Sequence, residues 1–284
     1  MRKRGLVQPV AIMAALFAVA AAGLAQRGFR GGGGGGRYAQ GEDPFERVAE
    51  PHSGEFHFIR MEYTDLPGAR RGFGYSSRDG QGSGWWIVDW PAAENHFTAG
   101  LERLTRIECG DPRHLRVTDD RIFDNPWLYA TQTGWWDLSK AEMARLREYL
   151  LRGGYLMTDD FWSTDPYQWQ VFESTMAQVL PGQSINDLSL DDPERHVLYD
   201  IEEKDLTWIP GSRHLRGGTV VQPAGTQPAW KSIEDGNGHV VVAVNYNTDI
   251  GDAWEFADVP YYPEKMTALA YRYGVNYVVY AMTH

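Results

Sequence analysis

The sequence predicts an α/β domain built as a three-layer sandwich, with a mostly parallel sheet between two layers of helices. Three observations carry that prediction. Apolar runs of strand length alternate with helical patterns from Glu55 to the C-terminus. One strand–helix–strand unit, Trp127 to Asp160, can be read whole. His239 to Val244 is a near-continuous β-branched run, as in a strand buried on both faces.

Taken in order, Phe56 to Met61 begins as alternating apolar and polar residues and reads as the first strand. Trp85 to Val88 reads as a second strand, ending at Asp89. Pro91 suits a helix start, and Phe97, Leu101 and Leu104 follow at helical spacing; Ile107 and its neighbours read as a short strand. Trp127 to Thr131 is the next strand. Ser139 and Glu142 then form a capping box, in which each side chain bonds the other's free backbone N–H. Met143, Leu146 and Leu150 line the helix, Gly153-Gly154 ends it, and Tyr155 to Thr158 returns as a parallel strand. Asp165 and Pro166 open a helix bearing Trp169, Phe172, Met176 and Val179. Residues 181–238 are rich in turns and show no clear period. Pro263 starts a last helix with Met266, Leu269 and Tyr273 on its buried face.

The N-terminus reads as a secretory signal over residues 1–25. Arg2, Lys3 and Arg4 precede an apolar run from Val10 to Ala22, and small residues lead to a cleavage point before Gln26. The run is too short and alanine-rich for a good permanent span, which needs about 20 strongly apolar residues. The expected location is periplasmic or secreted, with membrane contact only if the segment stays uncleaved. Residues 26–53, with glycine unbroken from Gly31 to Gly36 between Arg30 and Arg37, read as a flexible linker, leaving 54–284 as a single domain. The lone cysteine, Cys109, excludes an internal disulfide, lies too far from the cleavage point to carry a lipid anchor, and reads as a buried, inert thiol.

The chain has 27 basic and 38 acidic side chains, a net charge of −11, and loss of the three basic signal residues takes it to −14. That balance disfavours nucleic acid and anionic lipid, and admits cations or neutral polar ligands such as sugars.

In an open parallel sheet, ligands bind beyond the carboxyl ends of the strands where the strand order reverses. The candidates there are Asp89, Thr131 to Gly134, Asp159 with Asp160, and Asn245, Asn247, Asp249, Asp252 and Trp254 after the Val244 strand. Asp159-Asp160 has two readings. The pair holds a divalent cation or serves as acid and base, or one carboxylate caps backbone while the other is solvated. Asn245-x-Asn247-x-Asp249 has the alternate spacing of a calcium loop. It has Ile250 where the EF-hand needs glycine and Phe256 where it needs a bidentate acid, so it reads as a turn. His196 reads as structural. Serine-hydrolase elbow, zinc helix and P-loop motifs are absent from the sequence.

Several of these stretches together resemble a bacterial family of domains of unknown function, number 4159. They are Phe58-Ile59-Arg60 with Tyr63, Trp86 with Asp89-x-Pro91, Leu150 to Asp160, Asn245 to Trp254, and Gly274 to Tyr280. The resemblance implies a flavodoxin-like fold of the class I glutamine amidotransferase type, akin to ThuA-like proteins; the surroundings of His196 are loosely similar to the latter. Amidotransferases of that fold carry a cysteine on a sharp turn after a strand. No cysteine stands at such a turn here, so glutaminase activity is not carried over. Two functions follow as expectations. One is a binding module taking a polar small molecule or a protein partner in an acidic strand-end crevice. The other is a hydrolase of carbohydrate or another polar substrate using Asp159 and Asp160, with or without a divalent cation as cofactor.

Overall fold

The computed structural model describes residues 53–69, 84–215 and 220–284, which lie in one compact unit, Gln40–His284. The signal segment and, apart from Ser53, the linker lie outside the described residues.

A seven-stranded sheet forms the middle layer, in the order β2-β1-β3-β4-β7-β6-β5. Its strands are β1 (Ile59–Glu62), β2 (Arg113–Arg116), β3 (Trp127–Thr131), β4 (Tyr155–Asp159), β5 (Asn186–Asp187), β6 (Ala229–Glu234) and β7 (Val240–Tyr246). The pairings from β2 through β1, β3 and β4 to β7 are parallel; β6 runs antiparallel to β7, and β5 antiparallel to β6. Among the described residues five α-helices cover the sheet: α1 (Ala92–Leu104), α2 (Lys140–Leu151), α3 (Pro166–Val179), α4 (Ile250–Glu255) and α5 (Glu264–Thr283).

The alternation of side chains along a strand divides the core in two. Trp127, Tyr129, Tyr155 and Met157 pack on α1, α4 and α5, while Leu128, Ala130 and Leu156 pack on α2 and α3. The first layer is dense in aromatics. Phe58 meets Phe97, Trp127, Tyr129 and Trp254 edge-on, with centroids 4.7–6.0 Å apart. The strand–helix–strand unit forms as the sequence predicts, with the Ser139–Glu142 capping box and parallel pairing of β3 and β4. The caps at Asp165 and Pro263 and the strand after His239 are also found.

Two expectations are corrected. Trp85–Ile87 is a turn of 3-10 helix, not a strand. A short apolar run suits either, and polar partners decide it: Asp65 takes the Trp85 backbone N–H at 3.0 Å, and Arg60 donates to the carbonyls of Trp86 and Val88. Around Ile107 there is only a single bridge, between Cys109 and Phe56, and the strand that joins the sheet is Arg113–Arg116. Its Arg-His-Leu-Arg sequence is that of a charged edge strand, which apolar periodicity does not detect.

The chain leaves β1 through α1 on one face and β3 through α2 on the other, so the switch in direction falls between these adjacent strands. The carboxyl ends of β1, β3, β4 and β7 therefore open onto one edge.

Candidate functional site

Among the described residues four non-glycine positions have positive φ: Asp89 (69°), Gln132 (53°), Asp160 (52°) and Asn247 (60°). Gln132, Asp160 and Asn247 directly follow β3, β4 and β7, and Asp89 follows the Trp85–Ile87 turn. Left-handed backbone costs an ordinary residue roughly 1–2 kcal/mol, less for Asp and Asn, so its concentration at one edge marks a place held in shape by its surroundings.

Asp89 is positioned from below. Arg60 on β1 is fully buried and paired with the equally buried Glu94 of α1. Its Nη1 donates to Val88 O at 2.9 Å and Trp86 O at 3.2 Å, holding the backbone that delivers Asp89. Asp89 is partly exposed as a residue, yet its Oδ2 is buried and accepts no hydrogen bond. Burial, then the negative charge of Asp252, pushes its carboxyl well above the usual range.

Asp159 and Asp160 are adjacent and differ in role. Asp159 Oδ1 accepts from the Tyr129 hydroxyl at 2.6 Å, and Oδ2 accepts from the backbone N–H of Ile250 and Gly251 at 2.8 and 2.9 Å. It ties β4 to the start of α4, and burial raises it to about 7. Asp160 turns toward side chains. It accepts from Gln132 Nε2 and from Trp162 Nε1 (2.6 Å), lies 3.6 Å from Arg213 Nη2, and shares a hydrogen bond with Asp249. Burial raises it to about 6, with Arg213 pulling the other way.

Asp249 and Asp252 complete the acidic edge. Asp249 Oδ1 accepts from Asp252 N at 2.9 Å, and Asp252 Oδ2 from Ser212 N at 2.5 Å. Asp249 is pushed well above its usual range by burial, and next by the charge of Asp160. One oxygen from each of Asp89, Asp249 and Asp252 lies within 4.8 Å of the other two.

Beside Asp160 a cleft of about 260 Å³ opens between Ala69, Trp85, Gln132, Trp135, Gln168 and Arg213. The Trp85 and Trp135 rings stack at 5.9 Å, and the Arg213 guanidinium lies 4.8 Å from the centre of the Trp162 ring. Gln132 and Arg213 both line the cleft and contact Asp160, joining it to the acidic edge.

The structure thus gathers Asp89, Asp159, Asp160, Asp249 and Asp252 at one edge, and engages Trp254, Asn245 and Asn247 within the fold. Trp254 is fully buried against Phe97 and Tyr129. Asn245 is also buried, donating to Thr158 O and accepting from the Tyr277 hydroxyl. Asn247 holds a loop, accepting from Ser163 N and donating to Gln227 O. His196 spends both ring nitrogens on Asp200 and Leu190 O at the surface. Cys109 bridges to Phe56, which precedes β1, away from the carboxyl ends, and burial lifts its thiol to about 12. Arg213, Trp135 and Gln168 were not apparent from the sequence. Arg213 sits in the turn-rich 181–238 stretch, Trp135 stands just beyond the Thr131 to Gly134 candidates, and Gln168 lies in the helix opened by Asp165 and Pro166 without a motif to mark it.

A profile described as Domain of unknown function (DUF4159) matches residues 75–282. No curated protein matches the chain.

Proposed function

The chain belongs to that family of domains of unknown function, and on that premise we propose that it is an exported binding domain that takes a neutral or cationic polar ligand in the crevice at the carboxyl ends of β1, β3, β4 and β7. The observation that carries this reading is the joining of the acidic edge to the tryptophan-walled cleft through Gln132 and Arg213, both bound to Asp160. Aromatic faces with a few fixed polar groups suit a small polar molecule such as a sugar or an amine. The acidic edge disfavours anions. The one thiol, Cys109, is buried and bridges to Phe56 ahead of β1, away from the carboxyl ends of the strands, which supports binding over acyl transfer through a cysteine.

The hydrolase reading needs two available carboxylates. Asp159 already accepts three hydrogen bonds from the protein, so of the pair that reading names only Asp160 is available.

The test is a thermal-shift panel of neutral sugars, amino sugars and polyamines on wild type, Asp160→Asn and Arg213→Ala. The expected result is a compound that raises the wild-type melting temperature, with a reduced shift in both variants. A panel that shifts nothing, or a shift unchanged in both variants, contradicts the proposal.

A further inference from the structure

We infer that Asp89, Asp249 and Asp252 form a site for a divalent cation of the size of calcium, which deepens the binding reading by giving the crevice an inorganic ligand and rests on that reading for its setting. Four observations converge. First, the three carboxylate oxygens lie within 4.8 Å of one another. Three oxygens no more than 4.8 Å apart share a centre within about 2.8 Å of each, a reach that suits the flexible shell and roughly 2.3–2.6 Å bonds of calcium better than the near-ideal octahedron of about 2.1 Å that magnesium demands.

Second, Asp89 Oδ2 is buried and accepts no hydrogen bond. A buried carboxylate oxygen with no partner is costly, and a hard cation is the partner its chemistry suits best. Asp159, one of the two acids the sequence put forward for a metal, has no such oxygen, because both of its oxygens are engaged. Third, two glycines leave the cradle open. A Cβ at Gly251 would stand 2.7 Å from Asp89 Oδ2, and one at Gly211 would stand 2.4 Å from Asp249 Oδ2 and 3.2 Å from Asp252 Oδ2. Fourth, among the described residues no Lys or Arg forms an ion pair with any of the three acids; Arg213 pairs with Asp160. The bonds from Asp252 N and Ser212 N fix the orientation of Asp249 and Asp252 before an ion arrives.

The experiment is calorimetric titration of the purified protein with calcium chloride and with magnesium chloride, alongside melting temperatures with and without each ion. Wild type, Asp89→Asn and Asp252→Asn are compared. Asparagine keeps the shape of aspartate and tolerates the positive φ of Asp89. The expected wild-type result is calcium binding with Kd of about 1 mM or tighter, in the range of extracellular modules, and weaker magnesium binding. Each variant is expected to lose at least about tenfold in calcium affinity while its metal-free melting temperature stays level or rises, since a buried like charge has gone. A fall in metal-free melting temperature with calcium affinity unchanged means that the acids are purely structural and overturns the site. A flat titration of wild type up to about 10 mM calcium, well above that range, also overturns it. The two readings separate cleanly. A flat calcium titration beside an intact Asp160-dependent shift removes the cation site alone, and calcium binding beside an inert compound panel removes the organic ligand alone.

Discussion

Asp159 and Asp160 stand side by side at the end of β4 and need opposite substitutions to expose their roles. Asp159→Ala leaves the Tyr129 hydroxyl and the N–H groups of Ile250 and Gly251 buried without their acceptor. At about 1–3 kcal/mol per stranded group, partly relieved by relaxation, the loss is expected to reach about 3–5 kcal/mol, read as a lower denaturant midpoint. Away from the crevice, Glu194 supplies a second prediction. It is fully buried, and burial lifts it to about 8, with Tyr155 of β4 and the neighbouring Arg195 opposing and Asp192 reinforcing the rise; Tyr277 and Tyr280 of α5 also face it. A raised carboxyl keeps its proton in the folded state after the unfolded chain has lost it. Its contribution is therefore complete below about pH 4.5 and is lost as pH climbs to about 8, by at most about 1.4 kcal/mol per pH unit. Glu194→Gln removes that slope, and denaturant titrations of the two proteins at pH 5 and pH 8 measure it; parallel pH profiles contradict the assignment. Neither role is legible in the sequence. Asp159-Asp160 offers two identical acids, and only the start of α4, which is about 90 residues away, decides which one is spent on backbone.

At the level of elements, the Arg60–Glu94 pair joins β1, α1 and the Trp85–Ile87 turn, and through them aims Asp89. Arg60→Met strands Glu94 in the core and is expected to cost about 3–5 kcal/mol, whereas Arg60→Met with Glu94→Leu recovers much of it. Equal melting temperatures for the single and double variants would show the pair to be no more than two independent contacts. Elements announced by local chemistry were legible: the Ser139–Glu142 capping box, the Asp165–Pro166 start and the strand of valines after His239 all form. Elements defined by distant partners were not. β2 is basic because it is an edge. β6, Ala229–Glu234, lies in the stretch that showed no period and takes its place by antiparallel pairing with β7. Trp85–Val88 is apolar enough for a strand but is held as a turn by Asp65 and Arg60.

For the whole molecule, the layered architecture and the edge of the sheet that bears the crevice were both readable, because parallel strands joined by helices carry their loops to predictable ends. Which side chains fill that edge was not, since Gly211 and Arg213 come from the turn-rich segment beyond β5 and reach the acids only in the folded chain. Export makes its own prediction: protein recovered from the periplasm or medium begins at Gln26 by N-terminal sequencing, and a membrane-bound form beginning at Met1 contradicts it. The central claim is that Asp89, Asp249 and Asp252, at the carboxyl ends of the strands, hold a calcium ion. Amide hydrogen exchange of the purified protein, with and without about 10 mM calcium, tests it most directly, at a concentration above the affinity range of extracellular calcium modules. The account predicts slowed exchange in residues 85–91, 209–213 and 247–256. Unchanged exchange in those segments, or slowing confined to the separate groove along β2 that holds His114 and Arg121, contradicts it.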